Sequence, residues 1–205
     1  MSIIKRWANC VIAFIAGVLG LALSGTIGMK VATTIDASAI GQSVTESSKI
    51  VKAFKVLTDS ELMEQAKLLN IKSEFVTMKV FAVITLILAI LLIVWSVIML
   101  LQNLNVIKCS NKLFGIINIA LVGLFLIATI GLLVSSNAYA NVLETATETM
   151  LIPGMLMSSP LASYISILNW DVTASIGVYQ PVMLVVSIVA VVVTVTFTVL
   201  NKKRG

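Results

Sequence analysis

Long apolar runs and two polar stretches alternate along the chain, and this pattern predicts its main elements. Four runs lack Asp, Glu, Lys and Arg, and each is close to the roughly 20 helical residues that cross a hydrocarbon core of about 30 Å. A charged residue in the middle of such a helix costs about 2.5–3.5 kcal/mol on insertion scales, so uncharged runs favour membrane insertion. The predicted transmembrane helices are residues 8–29, 80–101, 113–134 and 181–200.

The basic residues that border these runs predict which way the helices point. Seven of the fourteen Lys and Arg residues lie in three short segments without acidic residues, whereas the other seven share the two longer segments with all nine Asp and Glu residues. Because cytoplasmic flanks are enriched in Lys and Arg, both termini, the inner loop 102–112 and the tail 201–205 are expected to be cytoplasmic. The outer loops 30–79 and 135–180 then lie outside the plasma membrane. The basic start resembles a secretory signal, but the length and glycine content of the first run favour a retained anchor.

The first outer loop has helical periodicity and is expected to form a helical cap. Over residues 43–57, apolar positions such as Phe54 share one face, while lysines recur every third residue on another. A strand over 51–56 is the alternative, but it would carry lysine on both faces. Thr58 and Glu61 form a capping-box signature, which predicts a second helix that continues into the second span.

The second outer loop combines a short predicted helix with a long apolar stretch. The helix is expected over residues 142–152 and to be broken at Pro153-Gly154. The uncharged stretch 155–170 either packs on the first outer loop or the lipid headgroups, or forms a docking surface for another protein. The candidate docking residues are Met155, Leu156, Met157, Leu161, Tyr164, Ile165, Leu168 and Trp170. The expected fold is an all-α integral membrane protein with four transmembrane helices, cytoplasmic N and C termini and a helical extracytoplasmic cap.

Small residues recur at helical spacing within the runs and predict close helix packing. In the first run they recur every fourth residue, and in the second they repeat at seven, which indicates a left-handed seam. The periodicity leaves open whether these grooves join the helices of one chain or recruit other chains. The candidate packing residues are Ala16, Gly20, Ser24, Gly28, Ala82, Ala89, Ser96, Asn118, Gly123, Gly131, Ser187, Thr194 and Thr198.

Asn118 is the one carboxamide well inside a predicted span. A buried amide in lipid requires a hydrogen bond from a neighbouring helix, so a structural role is expected. The alternative is a polar point on a solute pathway, which would need companions such as Thr194 and Thr198. Those hydroxyls can equally bond the backbone of their own helix.

The composition narrows the chemistry further. The chain is 59% hydrophobic and 11% charged, against about 45–50% and about 25% in soluble domains, which is typical of a membrane protein. Because it has no histidine, phosphate-binding loop, nucleophile elbow or paired-cysteine motif, we expect no catalytic residue, cofactor or metal. The net charge of +5 follows membrane topology and does not indicate nucleic acid. An enzyme acting on lipid would depend on the scattered acids Asp36, Glu144, Glu148 and Asp171.

The order of spans and loops resembles the outline of claudin-like and tetraspanin-like proteins. The resemblance is confined to topology, because the tryptophan-rich first-loop signature with paired cysteines and the Cys-Cys-Gly loop motif are absent. The favoured hypothesis is a non-enzymatic multi-pass protein in the lipid bilayer that acts through contacts with other membrane-protein subunits or with itself. Such a protein would be a scaffold, an accessory subunit, or an adhesion or envelope component. The alternative is an oligomeric channel or passive transporter lined by hydroxyl-bearing faces of the third and fourth spans.

Overall fold

The computed structural model describes residues 3–36, 48–107, 110–158 and 169–202, which are mostly helical with one small sheet. The chain divides into two compact units, which we call the helical unit and the sheet unit. The helical unit comprises Met1–Thr26, Val80–Leu133 and Val178–Gly205, and the sheet unit comprises Ile27–Lys79 and Val134–Gly177.

Within the described residues, three helices are long and apolar enough to cross a membrane, which agrees with the expected membrane fold. They lie in α3 (Lys72–Asn103), in α4 (Asn111–Ala146) with the turns that follow it, and in α6 (Tyr179–Lys202). At 1.5 Å per residue, α3 and α4 are longer than the roughly 30 Å of a hydrocarbon core. In the first helix of the chain, the apolar part Trp7–Ala22 is shorter than in the other three.

The first predicted span is helical only in part. Helix α1 covers Ile3–Ala22, a 3-10 turn follows from Ser24 to Thr26, and Gly28 already belongs to a strand. The hydroxyls of Ser24 and Thr26 donate to backbone carbonyls three residues earlier, at 2.6 and 2.7 Å. Such side-chain bonds compete with the helical pattern and help to end the helix. Neither Ser24 nor Gly28 therefore lies on the helix for which packing was predicted.

A three-stranded antiparallel sheet in the sheet unit corrects the all-α expectation. Its strands are β1 (Gly28–Asp36), β2 (Ser48–Lys55) and β3 (Asn169–Ile176), in the order β2-β1-β3. Met29 of the central strand pairs with Phe54 of β2, and both side chains are buried on one face of the sheet. The exposed residues of β3 alternate with its more buried ones, so one face of the sheet contributes to the core.

The helix predicted over residues 43–57 is wrong where the structure describes this segment, because residues 48–55 form β2. Phe54 points into the core, whereas Lys55 is exposed on the other face. Lys52 shares the face of Phe54 and is also exposed. A lysine on both faces is compatible with a strand here, because β2 is an edge strand from which a long side chain reaches water.

Helix α2 (Ser60–Leu68) agrees with the second helix predicted in the first outer loop, but it does not continue into α3. Asn70 adopts a left-handed conformation with φ of 57°. The Ile71 N–H donates to the Ala66 carbonyl at 2.9 Å, and the Asn70 N–H donates to the Lys67 carbonyl at 3.2 Å. These two bonds form a Schellman motif, which satisfies the last carbonyls of α2 and reverses the chain before α3.

The polypeptide continues in helical form beyond α4. A π-helical turn at Thr147–Leu151 leads into α5 (Ile152–Met157), so the break predicted at Pro153-Gly154 is wrong. Ile152 donates its N–H to the Thr147 carbonyl, five residues earlier. Pro153 then occupies the first turn of α5, where a missing N–H and a fixed φ are tolerated.

Candidate functional sites

Most buried positions of α3, α4 and α6 in the helical unit follow alternating spacings of three and four residues. This spacing is typical of helices that pack with a small left-handed crossing angle. The positions on this pattern are Ala82, Thr85, Ala89, Leu92, Ser96 and Met99 on α3, Asn118, Val122, Phe125, Thr129 and Leu132 on α4, and Met183, Ser187, Ala190 and Thr194 on α6. Small and hydroxyl-bearing residues thus occupy much of the interface between the helices.

Small residues allow α1 and α3 to approach closely. A Cβ atom on Gly17 would lie 2.7 Å from the Ala89 carbonyl oxygen, and one on Gly20 would lie 2.9 Å from the Ala89 Cβ. The Cys10 thiol donates to the Ser96 carbonyl at 3.0 Å. Three predicted packing residues therefore meet between these two helices. Gly17, which was not among them, makes the closest approach to backbone.

Hydrogen bonds connect α6 with its neighbours in the helical unit. The hydroxyls of Thr129 on α4 and Ser187 on α6 are 2.9 Å apart, and either can donate. The Tyr179 hydroxyl donates to the Gly20 carbonyl of α1 at 3.2 Å. Predicted residue Ser187 is therefore engaged inside the bundle of a single chain.

Asn118 and Thr194 are buried without a hydrogen-bond partner among the residues that the structure describes. Asn118 is 1% exposed and Thr194 is fully buried, yet neither amide atom of Asn118 and neither hydroxyl of Thr194 and Thr198 is bonded. The Cγ2 atom of Thr198 lies 3.3 Å from the Cβ position of Gly115, almost one turn from Asn118. The expected bond from Asn118 to another helix is therefore not formed, although all three predicted residues lie at one level of the bundle.

The remaining predicted packing residues differ in how closely a neighbouring helix approaches them. Ala16 and Ala82 are buried. A Cβ atom on Gly131 would overlap the ring of Phe81, so an alanine there would force this side chain of α3 to move. A Cβ atom on Gly123 would meet nothing within 4 Å. Gly123 consequently takes no part in close packing within the chain.

The predicted docking residues fall into separate places. Met157 is 69% exposed at the end of α5, which also contains Met155 and Leu156. Trp170 is in β3 and half-buried, and its indole N–H donates to the Glu148 carbonyl at 3.3 Å. The other predicted docking residues lie outside the described residues; these are Leu161, Tyr164, Ile165 and Leu168.

Pro153 explains why the Glu148 carbonyl accepts from Trp170. In a helical turn this carbonyl would receive the N–H of the fourth or fifth following residue. Ile152 donates instead to Thr147, and Pro153 has no N–H. The Trp170 indole supplies the missing donor and ties β3 to the π-helical turn. This gives Trp170 a structural role that the sequence interpretation missed.

A second side chain of the same helical segment bonds to β3. One carboxylate oxygen of Glu144 accepts from the Ala174 backbone N–H at 3.0 Å. Because alternate residues of β3 pair with β1, the N–H of Ala174 points away from β1 toward the open edge of the sheet. Glu144 therefore covers an edge group that would otherwise need another partner.

Acidic side chains in the described part of the chain do not cluster into a metal site. No group of three or more His, Cys, Asp or Glu residues there could hold a metal ion. A cleft lies where β2 meets the start of α2, lined by Lys52, Ala53, Phe54, Thr58, Asp59, Ser60 and Glu61. Within it, the Asp59 carboxylate accepts from the Lys55 backbone N–H, so this acid caps the end of β2.

The helical unit exposes large aliphatic side chains and buries hydroxyl groups among the apolar residues of its core. Hydroxyl-bearing Thr85 and Thr194 are fully buried, whereas Ile116 and Ile127 are 65% and 64% exposed. Lipid solvates large aliphatic side chains as well as a protein core does, so this arrangement is compatible with a helix bundle in a membrane. No known protein family matches the chain, and neither a curated protein nor a solved structure is significantly similar to it.

Proposed function

We propose that the chain crosses the plasma membrane four times, with both termini in the cytoplasm and the sheet unit outside. Two observations support α1 as the fourth span. Its 20 residues correspond to about 30 Å of helix, and its apolar part Trp7–Ala22 corresponds to about 24 Å, which a locally thinned bilayer accommodates. It also packs on α3 through Gly17 and bonds to α6 through Gly20, as a helix inside the bundle would.

Tags at both ends of the chain should be digested from the same side of the membrane. The test uses right-side-out and inside-out vesicles with tags at Ser2 and Gly205, and an impermeant thiol reagent directed at Ser175→Cys. We expect both tags to be cleaved only in inside-out vesicles and the cysteine to react only in right-side-out vesicles. If α1 does not span, the two tags will be digested from opposite sides.

We further propose that the protein acts through contacts with other membrane proteins, as a scaffold, an accessory subunit, or an adhesion or envelope component, and has no catalytic activity. The observation that carries this proposal is the exposure of large apolar side chains on the sheet unit. Leu68, Met150 and Met157 are 77%, 62% and 69% exposed. On a unit that faces water, such side chains favour a protein contact, and methionine adapts to different partners.

The packing of the hydroxyl-bearing residues favours this function over the channel alternative. Thr194 and Ser187 are fully buried within one chain, and Ser187 pairs with Thr129. A pore between subunits that these residues lined would require each bundle to open. Glu144, one of the acids considered for lipid chemistry, is engaged by Ala174.

A photoreactive amino acid at Met157 should crosslink to another protein in native membranes. The matched control places the same group at Ser175, which is exposed on β3 of the same unit. We expect a discrete protein adduct, identified by mass spectrometry, from position 157 and none from position 175. Adducts to lipid alone at position 157, or equal adducts at both positions, would argue against a contact function.

A further inference from the structure

We propose that the helical unit holds bound water in a polar layer formed by Asn9, Trp95, Asn118, Thr194 and Thr198. Each of these residues has a buried side-chain atom without a hydrogen-bond partner. The atoms are the Asn9 carbonyl oxygen, the Trp95 indole nitrogen, both amide atoms of Asn118 and the two threonine hydroxyls. The layer is a property of the bundle itself and goes beyond the proposed contact function.

Contacts between the helices place the layer on α1 and α3. Asn9 directly precedes Cys10, and Trp95 directly precedes Ser96. The Cys10 thiol donates to the Ser96 carbonyl at 3.0 Å, so Asn9 and Trp95 lie at the same depth in the bundle.

The same depth is reached by α4 and α6. The Trp95 ring stacks on Phe114 with centroids 5.0 Å apart, and Phe114 is one helical turn from Asn118. Thr198 contacts the backbone position of Gly115 on α4. Since α4 and α6 are antiparallel, the step from Gly115 to Asn118 and the step from Thr198 to Thr194 run in the same direction. All four helices thus contribute to one layer about one turn thick.

The chemistry of the layer suits water. Leaving a buried polar group unpaired costs about 1–3 kcal/mol, and several such groups at one level would add to a large fraction of a typical folding free energy. The layer offers both donors and acceptors but no charged side chain, so an ion would remain poorly solvated. Cys10 and Ala13, which are buried near this level of α1, have small side chains.

Buried apolar side chains lie on both sides of the layer along the bundle axis. Leu92 and Phe125 are fully buried toward one end, and Met99 is buried toward the other. Water held between them is an internal component of the bundle, comparable to the buried waters that satisfy polar groups in other proteins. These apolar neighbours distinguish the layer from a continuous solute pathway.

The indole N–H of Trp95 provides a direct test in the full chain. Protein with 15N-labelled tryptophan is studied by NMR in detergent micelles, and the three indole signals are assigned by replacing each Trp with Phe in turn. We expect a nuclear Overhauser cross-peak between the Trp95 indole proton and water, and its loss in the Asn118→Leu/Thr194→Val variant. The control Thr129→Val removes a hydroxyl that already has a partner and should leave the cross-peak unchanged.

The midpoint temperature of thermal unfolding of the Asn118→Leu variant supplies a second test. It should change in opposite directions for a hydrated and a dry layer. If water satisfies the amide, the substitution removes hydrogen bonds and lowers the midpoint. If the layer is dry, it removes two unpaired polar atoms and raises the midpoint. Absence of the water cross-peak from the unsubstituted protein, or a raised midpoint in Asn118→Leu, overturns the proposal. The first measurement decides even when the variants do not fold.

Discussion

Replacing Gly17 by alanine should weaken the packing of α1 on α3 by about 1–3 kcal/mol, the usual cost of overpacking a close-packed interior. The added Cβ would lie 2.7 Å from the Ala89 carbonyl oxygen, 2.7 Å from the Ile93 Cγ1 and 3.1 Å from the Ile93 nitrogen. Two of these atoms belong to the backbone of α3, so no side-chain rotation can relieve the overlap. The helices must separate, although alanine is the better helix former.

The reactivity of the Cys10 thiol measures the weaker packing directly, because Cys10 lies in the interface between α1 and α3. Cys10 is buried and bonds to α3 through Ser96. In a Cys109→Ser background it is the single thiol of the chain, and its rate of reaction with a maleimide under native conditions measures opening of the interface. Each 1.4 kcal/mol of lost stability raises the open population about tenfold, so we expect an increase of about fivefold to a hundredfold.

Gly123→Ala is the matched control, because it makes the same change on a helix of the same unit. A Cβ atom at Gly123 meets nothing within 4 Å. This variant should react no faster than the parent and gain about 0.5–1 kcal/mol from reduced backbone entropy. Equal reaction rates for Gly17→Ala and Gly123→Ala would contradict the close approach of α1 and α3.

The helices could be predicted from the sequence because lipid imposes a simple rule on them. Uncharged runs of about 20 residues have few alternatives to a helix, since unpaired backbone groups are costly in hydrocarbon. The spacing of Ala82, Ala89 and Ser96 at seven also identified the buried face of α3. Spacing alone does not reveal which small residues have a neighbour. Gly123 and Gly17 are both spaced for packing, yet only Gly17 meets another backbone.

The sheet was missed for a different reason. The segment of β3 has the period of two that a strand requires, because polar residues alternate with Trp170, Val172, Ala174 and Ile176. Trp170 was instead assigned to the apolar stretch 155–170, which hid this period. In β2 the signal is weaker, because strand propensity depends on the neighbouring strands. The register that joins β2 to β1, and β1 to the distant β3, becomes visible only in the fold.

The ends of α2 and α3 are each marked in the sequence by an asparagine, which the prediction of helix boundaries did not use. Asn70 and Asn105 both have positive φ, near 60°, and both are followed by an aliphatic residue. An asparagine in that place after a helix is a common Schellman terminator. The prediction that α2 runs into the second span ignored Asn70.

Replacing Glu144 by alanine should loosen β3 by about 1–2 kcal/mol, at or just below the lower end of the roughly 1.5–3 kcal/mol for hydrogen bonds to charged groups, because the pair is partly exposed. The variant removes the acceptor of the Ala174 N–H at the open edge of the sheet. Trp170 still bonds to the Glu148 carbonyl, so β3 keeps one of its two links to the helical segment. Glu144→Gln keeps an uncharged acceptor at the same reach and should lose less than Glu144→Ala.

Hydrogen exchange of the Ala174 amide measures this effect, followed by mass spectrometry or NMR in the same detergent for each variant. We expect exchange about fivefold to thirtyfold faster in Glu144→Ala, since 1.4 kcal/mol corresponds to about tenfold, and a smaller increase in Glu144→Gln. Thr145→Ala is the control, because the neighbouring Thr145 is exposed and its hydroxyl bonds only to the Asn141 carbonyl of its own helix. Unchanged exchange at Ala174 in Glu144→Ala would show that the carboxylate does not hold the strand edge, and equal acceleration by Thr145→Ala would assign the effect to the helix instead.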